Sequence, residues 1–100
     1  MTKTKDEETE RFNKSLLIFI NVRFLSPIKI NGRTPSIREY EKITSIGRGT
    51  IDKLLKKDGY DVPISTIRKI SKYAKISLTE FFNMFEAYLQ EKEAEWNSNL

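Results

Sequence analysis

A single all-α domain of five helices, the last of them long, is the fold this sequence predicts. Three observations carry that expectation. Apolar residues recur at three- and four-residue spacing through most of the chain. The breaks between these periodic segments are short and marked by Pro, Gly, Asn or Ser. One stretch alone, Ile28 to Asn31, alternates as a strand would. A chain of 100 residues holds one modest core. The expected division is a polar tail over 1–8, the domain over 9–90, and an acidic helix end or tail over 91–100.

The first helix is expected over Asn13–Leu25. Around it Phe12, Leu16, Phe19, Ile20, Val22 and Phe24 spread over more than one face, as in a helix buried on several sides. The acidic lead-in Asp6–Glu10 suits the positive end of a helix dipole. Ser26-Pro27 ends it, because the residue before a proline is pushed out of the helical region. Ile28–Pro35 reads as a loop turning at Asn31-Gly32, with a short extended hairpin as the alternative. Ser36 is the N-cap candidate of a second helix with Ile37, Tyr40 and Ile43 on one face. After a break at Thr44–Gly47, Ile51, Leu54 and Leu55 define a short third helix, Arg48–Lys57, with Gly59 as its left-handed cap. A fourth helix, Ile64–Tyr73, is entered from Pro63 and Ser65 and carries Ile67, Ile70 and Ala74. Ser77 caps a fifth, in which Leu78, Phe81, Phe82, Phe85, Tyr88 and Leu89 keep helical period towards Trp96.

Composition removes several functions. The chain has no Cys and no His, so disulfides, thiolate metal sites and Ser-His or Cys-His nucleophiles are excluded. No carboxylates stand in a catalytic pattern; we expect no enzyme, no metal and no cofactor. Met1–Glu10 lacks the basic and then apolar order of a secretory signal. The longest apolar run, Leu16–Ile20, falls far short of the ~20 residues of a membrane span. A cytoplasmic protein with no membrane partner is expected.

Net charge is +4, and its distribution is uneven. Residues 28–75 hold twelve Lys or Arg against five Asp or Glu, whereas residues 76–100 hold one Lys against five Glu. A basic middle beside an acidic end suits a polyanion-binding surface, although surfaces also carry charge for solubility alone.

Two short amphipathic helices separated by a tight break, inside the basic region, form the helix-turn-helix pattern. In register the match sharpens. Ser36-Ile37-Arg38-Glu39-Tyr40-Glu41, then Ser45-Ile46-Gly47, then Arg48-Gly49-Thr50-Ile51 follow the order of the lambda-repressor-like (Xre/Cro-type) helix-turn-helix family. Downstream, Pro63, Ile67, Ile70-Ser71, Ala74, Ile76 and Phe81 stand at the family's intervals, and the run Ile76–Phe82 resembles the start of its fifth helix. Ser36–Phe82 resembles this family over about half the chain. The departures are Ile37 in place of the usual glutamine, Ser45 and Gly47 in place of the turn's Gly and Ser, Leu55 in place of a frequent glutamate, and a longer loop at Ser26–Pro35.

The resemblance implies a phage-repressor-like domain that sets its third helix in the major groove of double-stranded DNA. The candidate DNA-binding residues on that helix are Arg48, Gly49, Thr50, Asp52, Lys53, Lys56 and Lys57, with Ile51 and Leu54 turned to the core. Arg48 suits a bidentate contact to guanine, or stands as a solvated arginine badly placed against the helix dipole. Gly49 leaves the backbone open to a groove wall, or simply weakens the helix. Thr50 suits a thymine methyl or a phosphate. Asp52 accepts from a cytosine amino group or, better, pairs with Lys56 four residues on. Lys53, Lys56 and Lys57 suit phosphates. Ser36 and Arg38 suit another phosphate at the start of the second helix, Thr66 and Lys69 one on the fourth helix, and Arg33 the backbone or a minor groove. For any single lysine, a solvated surface charge explains it equally well.

The apolar surplus of the first and fifth helices, Phe81, Phe82, Phe85, Tyr88 and Trp96 included, implies a homodimer through those two helices. No small-molecule ligand is expected. A sequence-specific transcriptional regulator, a repressor on a near-palindromic operator, is the leading expectation. The alternative is a protein-interaction module on the same scaffold, an antitoxin or an inhibitor of another protein, which Ile37, Gly49 and Asp52 favour.

Overall fold

Three glutamates, Glu7, Glu8 and Glu10, occupy the first turn of α1 (Glu7–Ile20) and face the positive end of its dipole. The computed structural model describes residues 7–98, with side chains through residue 95. α1 starts earlier than the apolar pattern marks, so Glu7 and Glu8 belong to the helix; residues 1–6 of the expected tail lie outside the described residues. α1 continues without a break into a π-helical segment, Asn21–Leu25, closed by the Ser26 N–H on the Asn21 carbonyl at 2.7 Å. A π turn shifts every later side chain by about one residue's rotation. That shift explains the apolar residues on several faces: Leu16, Leu17, Phe19 and Ile20 are buried before it, Phe24 and Leu25 after it, and Val22 is thrown outward at 65 % exposure.

The loop that follows turns at Asn31 and Gly32, both with positive φ (51° and 81°), as a tight hairpin turn requires. Ile30 and Arg33 exchange backbone hydrogen bonds of 2.9 and 3.0 Å across it. The hairpin is therefore a single isolated bridge, and the described residues contain no strand.

α2 (Ile37–Thr44) is fixed at its start by a capping box: Ser36 Oγ accepts from the Glu39 N–H at 3.2 Å and Glu39 Oε1 accepts from the Ser36 N–H at 2.8 Å. It ends at Ser45, left-handed at φ 65°. The buried Thr44 hydroxyl donates to the Tyr40 carbonyl (2.7 Å) and accepts from the Ile46 N–H (3.2 Å), which sets the turn into α3 (Arg48–Lys56). α3 stops one residue before the expected end. Lys57, not Gly59, is its left-handed cap at φ 57°, and Gly59 (φ 85°) turns the chain afterwards.

α4 (Ile64–Ala74) begins after Pro63 and ends at left-handed Lys75. α5 (Leu78–Ser98) is capped by Ser77, whose Oγ accepts from the Glu80 N–H at 3.0 Å. Its acidic end, with Glu91, Glu93 and Glu95 exposed, is helical. The described residues thus form an all-α fold of five α-helices with a long last one.

Phe81, fully buried, sits at the centre of the core. Its ring stacks on Phe24 at 5.5 Å between centroids and meets Phe19 edge-on at the same distance; Phe19 in turn touches Phe85 and Tyr88. This aromatic cluster joins α1 and its π segment to α5, while α2 packs on α3 and α4, and α1 also reaches α3. Tyr40 adds a polar tie: its hydroxyl donates to the Leu25 carbonyl at 3.2 Å. Among the described residues no helix is long and apolar enough to cross a membrane, and no cluster of His, Cys, Asp and Glu suits a metal ion.

Candidate nucleic-acid interface

Ile51 and Leu54 are fully buried, which fixes the rotation of α3 about its axis. With those two inward, Arg48, Gly49, Lys53, Lys56 and Lys57 are exposed, and Thr50, Asp52 and Leu55 are half-buried. The outward face therefore holds four cations against one carboxylate. Asp52 pairs with Lys56 at 3.1 Å, the four-residue pairing expected of it. Lys53 lies over the Tyr60 ring, 5.3 Å from its centroid.

A buried side chain absent from the sequence reading holds α3 in place. Asn21, 6 % exposed in the π segment, donates from Nδ2 to the Leu17 carbonyl and to the Leu54 carbonyl, both at 2.8 Å. Leu54 is in the last turn of α3, where carbonyls have no partner within the helix. Asn21 supplies one from 33 residues away. No local pattern marks such a contact; the only available signal was an amide in a mostly apolar run.

At its other end α3 has no side-chain cap, since Gly47 occupies the N-cap position. Arg48 stands in the first turn, where the dipole disfavours a cation. Glu41, in the last turn of α2, faces it: Arg48 Nε lies 3.3 Å from Glu41 Oε1. Glu41, Arg38, Ser36, Arg33, Glu39 and Lys42 line one shallow groove beside the start of α3. Arg33, Ser36 and Arg38 thus share one groove, and Arg48 meets it through Glu41.

Their chemistry differs within that groove. Arg33 makes a two-pronged pair with Glu39, Nη1–Oε1 at 2.9 Å and Nη2–Oε2 at 2.8 Å. The Arg33 hydrogen bonds and the Ser36 N–H hold the Glu39 carboxyl down at about 2, well below its ordinary 4.5. Arg33 therefore clamps the loop onto the start of α2. The Ser36 hydroxyl is engaged as the cap, whereas Arg38 is exposed on the first turn of α2.

On α4 the two expected residues separate. Lys69 is exposed, but Thr66 is 7 % exposed and lies against the core. Thr66 has this position because Ile67 and Ile70 fix the buried side of α4 and residue 66 falls beside them. Of the expected surface set it is the one the fold turns inward. Arg68, Lys69, Lys72 and Lys75 instead make the outer side of α4 basic.

The apolar surplus expected of the first and fifth helices is only partly exposed. Phe12, Ile18, Val22 and Phe82 are exposed, whereas Phe81 and Phe85 belong to the core and Tyr88 and Leu89 pack half-buried against it. The side chain of Trp96 lies outside the described residues. Comparisons of the chain with protein-family models, with curated proteins and with solved structures each give no match.

Proposed function

We propose that this protein is a cytoplasmic, sequence-specific DNA-binding regulator of the lambda-repressor-like helix-turn-helix type, a repressor that presents α3 to the major groove. The observation that carries the reading is the division of α3. Its inner residues, Ile51 and Leu54, are fully buried, and its outer face carries Arg48, Lys53, Lys56 and Lys57. α2 packs on α3 across a three-residue turn and braces it, as a groove-reading helix needs. In this reading the lysines supply phosphate contacts and affinity, and Arg48 supplies selection. Dimerisation through the exposed residues of α1 and α5 sets two such helices on a two-fold site.

A second reading, an antitoxin or inhibitor gripping another protein, is favoured by one observation. Ile37 and Ile64, the first residues of α2 and α4, are exposed at 36 % and 60 %. Apolar residues at those starts suit a protein surface better than phosphates.

Selection from a random duplex pool, followed by a salt titration of the enriched site, separates the two. Lys53, Lys56, Lys57 and Arg38 predict about four phosphate contacts per protomer. The slope of log K against log salt is then on the order of −3 to −4 per protomer, and twice that for a dimer. A two-fold site with half-sites about one helical turn apart supports the repressor. Weak binding with no enriched sequence refutes it and points to the protein partner.

A further inference from the structure

Glu41 is a carboxylate in the middle of the surface assigned to a polyanion, and the DNA reading alone gives it no part. Its backbone is fixed, because the Ser45 N–H caps the Glu41 carbonyl at 2.8 Å. Its side chain reaches across the turn to Arg48, and it meets the guanidinium at Nε. Nε, at 3.3 Å, is the guanidinium nitrogen nearest the carboxylate, and none of the three nitrogens of Arg48 donates a hydrogen bond among the described residues. The side edge of the fork thus faces the carboxylate, and its end lies farther from it.

We propose, resting on the DNA-binding reading, that Glu41 is a positioning residue that aims Arg48 end-on at a guanine and so sets specificity at one base pair. Two N–H groups of an arginine match the O6 and N7 acceptors of guanine. A free arginine on a helix surface loses rotamer freedom when it docks; one drawn towards a neighbouring carboxylate loses less. Glu41 also offsets the unfavourable dipole at the start of α3. The same carboxylate repels phosphate, so it lowers affinity for every duplex alike. Lower general affinity with sharper choice is a recurring way of making specificity.

The test uses the full chain and the duplex enriched by selection, with each base pair of the half-site replaced in turn. Glu41→Gln and Glu41→Ala are compared with Arg48→Ala. Both residues are partly exposed, with side-chain exposures of 41 % and 56 %, so the variants are expected to fold; thermal unfolding checks it. The expected result is that both Glu41 variants lose discrimination on the order of tenfold at one base pair. It is the same pair at which Arg48→Ala loses it, and binding to unselected duplex rises. A merely structural role would weaken all duplexes together. If both affinities rise with discrimination intact, Glu41 is a competitor for Arg48 and the proposal is overturned. Loss at a base pair that Arg48 does not read overturns it too. Those outcomes leave the DNA reading standing; a selection that enriches no site sinks that reading, and this proposal with it.

Discussion

Replacing Asn21 is the sharpest test of how the basic helix is held. Both partners of its amide are carbonyls, so the nitrogen faces them and donates twice. Asn21→Ala removes two hydrogen bonds, each contributing about 1 kcal/mol net, and leaves the buried Leu54 carbonyl unsatisfied at a further cost of about 1–3 kcal/mol. A total loss of about 3–5 kcal/mol is a large share of the ~5–15 kcal/mol expected of such a domain. At ~4–8 °C per kcal/mol for this size, Tm falls by on the order of 12–40 °C. Asn21→Asp is nearly the same shape but, when ionised, only accepts. It buries a charge against two carbonyl oxygens and should destabilise more than alanine at neutral pH. Below its pKa the protonated acid regains one donor, so part of the loss returns. Urea unfolding across pH, with the slope m checked for constancy, measures all three proteins. If alanine and aspartate each cost under about 1 kcal/mol, Asn21 does not hold α3.

The clamp between Arg33 and Glu39 makes stability depend on pH in a stated direction. The folded Glu39 carboxyl lies near 2, below its ordinary 4.5, so its contribution is present above 4.5 and is lost as pH falls towards 2. Glu39→Gln should flatten that limb of the stability profile; both groups are exposed, so added salt should shrink the difference. Gly49→Ala places a Cβ where no atom stands within 4 Å, in a helix where alanine exceeds glycine by up to ~1 kcal/mol. Unfolding should show higher stability and gel-shift titration weaker DNA binding; unchanged binding would mean that the Gly49 backbone does not approach a groove wall.

The helices were legible because their signals are local. Ser36 and Ser77 are followed at three residues by Glu39 and Glu80, Ile51 and Leu54 recur at helical period, and Asn31-Gly32 adopts the positive φ its residue types favour. The capping box was written in the same stretch, since Ser36 and Glu39 stand at its spacing. The π segment was not legible. Its first residue, Asn21, reaches the Leu54 carbonyl, a contact that exists only once α1 lies against α3. The end of α3 was misplaced for a related reason: Gly59 is the better left-handed residue by type, yet Lys57 takes that conformation at φ 57°. Within the site, burial followed from periodicity and occupancy did not. That Arg48 and Lys53 are exposed follows from Ile51 and Leu54 facing inward. That Arg33 is clamped by Glu39, Arg48 met by Glu41 and Thr66 turned inward depends on where the loop, α2 and α4 come to rest.

Breaches of local rules occur at several helix ends, such as left-handed Lys57 and Lys75 and the uncapped start of α4, but four fall together between Ser45 and Gly49. α2 and α5 begin with capping hydroxyls and α1 with a row of glutamates. Around the start of α3 the choices run the other way. Ser45 is held left-handed without being glycine, Gly47 offers no capping side chain, Arg48 stands at the wrong end of the dipole, and Gly49 weakens the first turn with nothing packed above it. Each costs some stability, about 1 kcal/mol or less. All four are exposed, next to the cations of α3. Sequences that specify their fold tend to break such rules where another demand acts. A helix start left open, positively charged and without bulk suits a surface that another molecule approaches closely. Asn21 fits that account from the other end, since a helix with a weak beginning needs its last turn held from the core.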